Sequence, residues 1–331
     1  MFFCVSCCYA LLLLLVCLVL IKIFLRLTSG ISKSNTCLVG KTVLITGGNS
    51  GLGFQTALAL AGRGARIIIA DKDDATESIR TIIEETNNNN LIYKYIDLSS
   101  LSSIRRFAKE LNAEESRLDI LINNAGVGSA MDKYTEDGLY LHMQVNHFGP
   151  FLLSHLLIDL LKKSSPSRII FVSSLLAFLN NLTVENLNSY PKKGFYFCSQ
   201  LLQYGNSKLM NAITANILGE KLRGSGVTTY SVHPGVVNTN IFTRFGGRNS
   251  FYLFKVFLYN MVLPVYGKTT WQGAQTQINC SLSKELENVT GKFYVDCKEF
   301  PPPWRSLSKD RLMELWTKTE ELVKLGESEK L

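Results

Sequence analysis

Lys41-Thr42-Val43-Leu44-Ile45-Thr46-Gly47-Gly48-Asn49-Ser50-Gly51-Leu52-Gly53-Phe54 decides the fold. Its first half is an apolar, β-branched run that reads as a buried strand. Its second half is a glycine turn, and Phe54 to Gly62 then continues with helical character. Strand, glycine turn and helix in that order form the context a nucleotide-binding turn needs. Glycines let the backbone approach a pyrophosphate, and the helix N-terminus presents free N–H groups at its positive end. A plain turn between strand and helix is the ordinary alternative, so the rest of the chain has to decide between them.

The alternation goes on. It predicts strands at 41–46, 65–70, 91–96 and 118–123, with helices at 51–62, 73–86 and 101–115 between them. Asn87 to Asn90 reads as a loop. Such alternation predicts a parallel sheet covered by helices on both faces. Right-handed crossovers bring the strand ends, and hence a ligand, to one edge. Asp71 ends the second strand, where a carboxylate accepts bonds from ribose hydroxyls and repels a 2′-phosphate. Lys72 follows it and keeps a phosphate contact open. Both Asp71 and Asp97, after the third strand, read equally as helix N-caps.

Downstream lies Tyr204-Gly205-Asn206-Ser207-Lys208. Residues four apart share a helix face, and a nearby ammonium favours phenolate, lowering a tyrosine's pKa towards the range of useful acid–base work. Alone, such a pair is ordinary helix surface. Asn146 sits within the long amphipathic stretch Asp137 to Lys163, where an asparagine costs helix propensity; a buried amide is the plainer reading. Ser173 and Ser174 end the strand that begins at Arg168, where a hydroxyl ordinarily forms a turn. Pro234-Gly235, after the strand from Gly226 to Val232, has the form of a turn.

In order, the chain carries Thr46 to Gly53, Asp97-Leu98, Asn123-Asn124-Ala125-Gly126, Val145-Asn146-His147, Val172-Ser173-Ser174, Tyr204 with Lys208, and His233-Pro234-Gly235. These blocks, from about residue 38 to 300, resemble the short-chain dehydrogenases/reductases, and within them the membrane-anchored retinol dehydrogenases. The resemblance implies an α/β, Rossmann-type doubly wound parallel sheet in a single domain. It implies a catalytic set of Asn146, Ser174, Tyr204 and Lys208, with Ser174 on the substrate oxygen and the Asn146 backbone holding a relay water. The implied cofactor contacts are Gly47, Asn49, Ser50, Gly51, Leu52, Gly53, Asp71, Lys72, Asp97, Leu98, Asn124, Ala125, Gly126, Tyr204, Lys208, Pro234, Gly235, Val237 and Thr239. Many of those relatives carry a neutral residue and then arginine where this chain has Asp71 and Lys72. The departure favours NAD, with NADP the alternative. No metal is expected.

Residues Phe2 to Ile21 are almost wholly apolar and are followed by Lys22, Arg26, Lys33 and Lys41. About 20 such residues span a bilayer. The charges predict a single-pass transmembrane helix with the catalytic domain on the cytosolic side, at the endoplasmic reticulum by resemblance. A cleaved signal peptide lacks its basic leader and cleavage site here; a hairpin or monotopic insertion also stays open. The expected organisation is an anchor at 1–26, a linker at 27–40, the dehydrogenase domain at 41–300 and a helical extension at 301–331. Four of the eight cysteines fall in the anchor and the others are scattered, so neither disulfides nor zinc are expected. Sequons at Asn181, Asn279 and Asn288 test the topology, because their use would require a lumenal domain.

The net charge of +8 comes without a basic, aromatic-interleaved cluster, so no nucleic acid partner is expected; a membrane surface fits better. The stretch from Asn240 to Gly267 is apolar and aromatic, which suits a lid over a lipophilic alcohol, aldehyde or ketone. Retinol leads by resemblance, with steroid, isoprenoid and fatty substrates open. A catalytically silent membrane-associated nucleotide-binding or scaffold protein is the second class, disfavoured because all four catalytic positions are filled. The glycine spacing disfavours a nucleotide-sugar epimerase. No signal for or against a homo-oligomer is readable.

Overall fold

The computed structural model describes residues 16–20, 22–24, 26–128, 133–189, 196–237 and 263–331. Each apolar run read as a strand is one, and two short strands follow near the C-terminus. The strands are β1 (Thr42–Thr46), β2 (Arg66–Asp71), β3 (Leu91–Tyr95), β4 (Ile120–Asn123), β5 (Ser167–Val172), β6 (Val227–His233), β7 (Lys292–Val295) and β8 (Lys298–Glu299). The order across the sheet is β3-β2-β1-β4-β5-β6-β7-β8. Pairing is parallel throughout except for the β7–β8 hairpin. The strands β1, β4 and β5 are buried along their whole length, as a sheet covered on both faces requires.

The helices are α1 (Gly51–Ala61), α2 (Thr76–Thr86), α3 (Leu101–Glu114), α4 (Leu141–Met143), α5 (Gly149–Leu156), α6 (Ile158–Lys163), α7 (Tyr196–Lys221), α8 (Leu263–Tyr266), α9 (Thr270–Leu282) and α10 (Lys309–Leu322). One apolar core lies under α1, α2 and α9, with Ile45, Leu60, Ile69 and Ile278. The other lies under α3, α5, α7 and α10, with Leu44, Phe107, Phe151 and Trp316. The chain runs outward from β1 to β3 and then crosses to β4. That reversal opens a crevice at the carboxyl ends of β1 and β4, the place where open α/β sheets bind ligands.

Three boundaries differ from expectation. The helix expected from residue 73 begins at Thr76, because Asp74 accepts from the Thr76 N–H at 3.3 Å and its hydroxyl at 2.8 Å. Asp97 is not the cap of α3; Ser100 is, accepting from the Ser103 N–H. The continuous helix expected from Asp137 to Lys163 is broken. Gln144–Phe148 forms a π turn between α4 and α5, and Leu157 separates α5 from α6.

The C-terminal helix α10 is capped by Ser308, whose side chain accepts from the Arg311 N–H. Its Trp316 ring stands 4.8 Å from Phe151 on α5, edge to face, so α10 packs into the core beneath that helix. The residues before β1 are strapped along the domain. Gly30 N–H donates to Asp296 Oδ1 at 3.0 Å and Ser32 N–H to Gln275 Oε1 at 3.2 Å. The Ser34 and Thr36 hydroxyls both donate to the Leu282 carbonyl, and Leu38 N–H to that of Arg63. Asp296 and Cys297 form the tight β7–β8 turn with φ of 51° and 61°. Side chains other than glycine and asparagine rarely adopt this region unaided. The strap at Gly30, the ion pair of Asp296 with Lys268 and the Thr276 hydroxyl beneath Cys297 N–H hold the turn in place. Among the described residues, no helix is long and apolar enough to cross a membrane; most of the apolar run 2–21 lies outside them.

Candidate active site

Two loops interlock at the carboxyl ends of β1 and β4. Gly47 and Gly51 have φ of 66° and 57°, which only glycine adopts freely. A Cβ on Gly47 would stand 2.9 Å from the Cα of Ala125, and one on Gly53 would overlap the Gly47 carbonyl oxygen. Asn124 Nδ2 donates to the carbonyls of Thr46 and Gly47 at 2.9 and 3.0 Å. The Thr46 hydroxyl accepts from the backbone N–H groups of Asn124 and Ala125. So Asn124 locks the glycine turn rather than merely permitting close approach. Ser50 stands before α1 with extended backbone and no side-chain cap bond, leaving the N–H groups at Gly51, Leu52 and Gly53 for an anion. The Asn49 carbonyl accepts from Ser78 Oγ, tying the turn to α2.

At the outer end, Asp71 is half-buried and accepts from the Asp73 N–H at 3.2 Å. Burial pushes its carboxyl above the usual range. Lys72 turns away from it and donates to Asp97 Oδ2 at 2.8 Å. Asp97 Oδ1 accepts from the N–H and hydroxyl of Ser99 at 2.8 and 2.6 Å. Burial raises the Asp97 carboxyl, but the bonds from Lys72 and Ser99 outweigh it and hold it below the usual range. Neither aspartate is a helix cap. Leu98 is buried, its carbonyl against Gly149.

On the inner side, α7 carries Tyr204 and Lys208. Lys208 Nζ donates to the Val172 carbonyl at 3.0 Å and stands 5.6 Å from the Tyr204 ring centroid. The lysine is 2% exposed, and burial lowers its pKa to about 8. A Cβ on Gly126 would stand 3.1 Å from Asn146 Oδ1 and 3.2 Å from Lys208 Nζ, so these three meet. Ser174 Oγ accepts from the Leu176 N–H at 3.1 Å, which leaves its own hydroxyl hydrogen free to donate elsewhere. Its turn-forming role thus leaves the hydroxyl available for the chemical role expected of it.

The Asn146 side chain is a satisfied buried amide. Oδ1 accepts from the Val127 N–H at 2.7 Å; Nδ2 donates to the Val127 carbonyl at 2.9 Å and to Ser207 Oγ at 3.1 Å. Its backbone is the unusual part. Within the π turn the Gly149 N–H reaches Gln144 O. The α-helical donor to the Asn146 carbonyl would be residue 150, a proline without an N–H. Pro150, which in sequence reads as packing, thus deprives that carbonyl of its usual partner.

Several contributors escape a sequence reading. Ser173 Oγ donates to the Lys208 carbonyl at 2.6 Å, bracing β5 against α7. His233 Nδ1 accepts from the Leu175 N–H at 3.1 Å; burial and the neighbouring Lys268 lower its pKa to about 4, so it is neutral. His142, one turn before Asn146, has its ring 6.0 Å from that of Tyr204. Burial and then Lys208 lower its pKa to about 4. A Cβ on Gly205 would overlap the carbonyls of Leu176 and Leu179, so this glycine lets α7 close on the turn after Ser174. The i−4 spacing of His142 was the signal available for it; the partners of Ser173, His233 and Gly205 lie too far along the chain to leave one.

Gly235 has φ of 94°, and a Cβ there would stand 2.7 Å from Lys268 Cδ. Pro234 and Gly235 lead into Val237, which bridges to Lys268. Thr239 and most of the aromatic stretch lie outside the described residues.

The glycine turn, the acid at the end of β2 and the buried Tyr–Lys pair sit along one sheet edge, in the arrangement of a nucleotide-dependent oxidoreductase. A family model described as short chain dehydrogenase matches residues 41–248. Retinol dehydrogenase 12 of Bos taurus is 39% identical over 298 residues, 89% of this chain and 90% of its own length. Retinol dehydrogenase 11 of Mus musculus is 43% identical over 281 residues, 84% of each chain. The crystal structure of an uncharacterised Mycobacterium paratuberculosis protein is similar at a TM-score of 0.67 and 26% identity, covering 89% of this chain and 98% of its own. The chain belongs to the short-chain dehydrogenase family and resembles its retinol dehydrogenases, which makes it an NAD(P)-dependent oxidoreductase of the alcohol dehydrogenase type.

Proposed function

We propose that the protein interconverts a lipophilic alcohol and its aldehyde or ketone, with retinol and retinal the leading pair. The observation that carries this reading is the buried Tyr204–Lys208 pair meeting Asn146 and Gly126 beside an interlocked glycine turn. Identity of about 40% to named retinol dehydrogenases supports the substrate class. The residues fit a dinucleotide: Ser50 makes no side-chain cap bond, so the first N–H groups of α1 are left for a pyrophosphate, and Asp71 is a half-buried carboxylate whose neighbouring cation is engaged elsewhere.

When bound, the nicotinamide supplies or accepts the hydride. Tyr204 takes the alcohol proton in oxidation and returns it in reduction. Lys208 stabilises the phenolate and holds the nicotinamide ribose. Ser174 donates to the substrate oxygen and fixes its orientation. Lys208 passes the proton onward to a water on the Asn146 carbonyl, which the π turn and Pro150 leave without its helical donor. Gly47, Asn49, Ser50, Gly51, Leu52 and Gly53 would hold the pyrophosphate; Asp97, Leu98, Asn124, Ala125 and Gly126 would line the adenosine side; Pro234, Gly235 and Val237 would flank the nicotinamide, with Thr239, outside the described residues, assigned there by resemblance alone. The apolar N-terminal run anchors the domain, as a single pass, on the cytosolic face of the endoplasmic reticulum. A turnover screen of retinoid, steroid, isoprenoid and fatty substrates with both cofactors, on the purified membrane-bound protein, tests this reading. Turnover of none of them would defeat it.

Asp71 sets the proposed preference for NAD, because its carboxylate would accept bonds from the ribose hydroxyls while Lys72 is held by Asp97. Asp71→Ala is expected to move the ratio of kcat/KM for NAD and NADP towards NADP by about tenfold or more, since each 1.4 kcal/mol is tenfold. An unchanged ratio would remove Asp71 from this role.

A further inference from the structure

The N-terminal strap carries an inference about orientation. Gly30 and Ser32 are bonded to Asp296 and Gln275. Asp296 immediately follows β7 and pairs with Lys268. The Lys268 N–H in turn donates to the Val236 carbonyl at 2.8 Å, three residues beyond the end of β6. The strap therefore leaves the domain at the carboxyl edge of the sheet, the edge that bears the active site, rather than at the opposite edge or along a helical face.

Little chain separates this point from the apolar run. Only Lys22 to Ser29 lie between Ile21 and Gly30. The described residues among them are helical as far as Leu27, so this stretch rises about 1.5 Å per residue over most of its length. Even with Thr28 and Ser29 extended at about 3.5 Å each, the gap is under roughly 20 Å. A run that enters a bilayer at Ile21 therefore keeps this edge of the domain within roughly 20 Å of the membrane.

The edge held there is the apolar one. Ile31 is exposed between the two bonded strap residues. Val236 is 67% exposed, Val265 41% and Trp271 47%. Trp271 lies one turn before Gln275 on α9, and Gln275 Nε2 donates to its carbonyl. Scattered exposed apolar residues are ordinary on any surface. Here they gather on the edge to which the strap is bonded, with exposed Arg26 and Lys33 beside it. A tryptophan flanked by basic residues is the composition favoured at the headgroup layer.

We propose that the carboxyl edge of the sheet, through Ile31, Val236, Val265 and Trp271, sits in the headgroup layer of a phospholipid bilayer, so that a lipophilic substrate enters the site from lipid and not from water. The proposal rests on the reading of residues 2–21 as a membrane anchor, and it adds which face of the domain meets the membrane.

Tryptophan fluorescence tests it directly. Of the three tryptophans, Trp304 and Trp316 are buried and Trp271 is exposed. The full chain is reconstituted into phosphatidylcholine and phosphatidylserine vesicles containing phosphatidylcholine brominated high on its acyl chains. The bromolipid is expected to quench wild-type emission. Trp271→Phe should lose that quenching, whereas Trp304→Phe should keep it. Protein that floats with the vesicles but shows no Trp271-dependent quenching overturns the orientation and leaves the anchor standing. Protein that does not float overturns both.

Discussion

Tyr204→Phe is expected to lower kcat for the proposed alcohol–carbonyl interconversion by about 10²–10⁴-fold, the range assigned to a positioned general acid or base. The dissociation constant of the nicotinamide cofactor should stay within about twofold. The substitution removes one oxygen and leaves the ring, which packs edge-on to His142 at 6.0 Å and beneath Lys208. The lysine keeps its bond to the Val172 carbonyl, and Gly205 still lets α7 close on the turn after Ser174. Single-turnover kinetics with cofactor titration separates the two quantities. Loss of cofactor binding along with turnover would indicate a disturbed helix instead of a missing proton carrier.

Lys208→Met has an effect of opposite sign on stability. Burial holds the Lys208 pKa at about 8, against an ordinary value of 10.5. Below about pH 8 both folded and unfolded chains carry the proton, and the folded protein bears the full cost of a buried ammonium. Between 8 and 10.5 the folded protein releases its proton first, so this contribution to stability improves as pH rises through that window. At about 1.4 kcal/mol per pKa unit the cost below pH 8 is roughly 3 kcal/mol as an upper bound. Methionine removes it without orphaning the acceptor, since Asn211 Nδ2 also donates to the Val172 carbonyl at 3.3 Å. The variant is therefore expected to melt a few degrees higher than wild type at pH 7, with the gain vanishing towards pH 10.5, while turnover falls by about 100-fold or more. Melting curves at pH 7 and pH 10 check the sign; a lower melting temperature at pH 7 would show that the lysine stabilises the fold.

Such a trade is what a functional site imposes on a core, and it bears on what the sequence could reveal. The strands were legible within a residue or two because β-branched runs such as Ile67 to Ile69 have no other economical place than a covered sheet. The Tyr204–Lys208 pairing was legible because its spacing is local. Asn146 was legible only as an exception to helix propensity. Its clamp on Val127 joins residues nineteen positions apart, and its freed carbonyl depends on the π turn. Pro150 was visible all along, four residues downstream, as the missing donor. Asp71 and Asp97 looked like caps because acidic residues before helices usually are; Ser100 caps α3 instead, and α2 begins after Ala75 without a side-chain cap, with Asp74 bonding Thr76 just ahead of it. Ser173 reads as a strand-end hydroxyl, and only folding reveals that its partner is the carbonyl of Lys208. In sequence the strap reads as a linker, since serine, threonine and glycine at 28–36 carry no periodic signal and bond to residues about 240 to 270 positions away.

That strap also dictates where the polypeptide can be trimmed. Cutting just before Lys41, at the start of the matched family region, would discard the bonds from Gly30, Ser32, Ser34, Thr36 and Leu38 together. It would bare the side chains of Gln275 and Asp296 and the carbonyl of Leu282, and loosen a left-handed turn that has no glycine of its own. Cutting at Ser29 removes the apolar run and keeps every one of those bonds. The shortest intact domain is therefore longer than the catalytic fold, and its first residues belong to the architecture of α9 and of the turn between the last two strands.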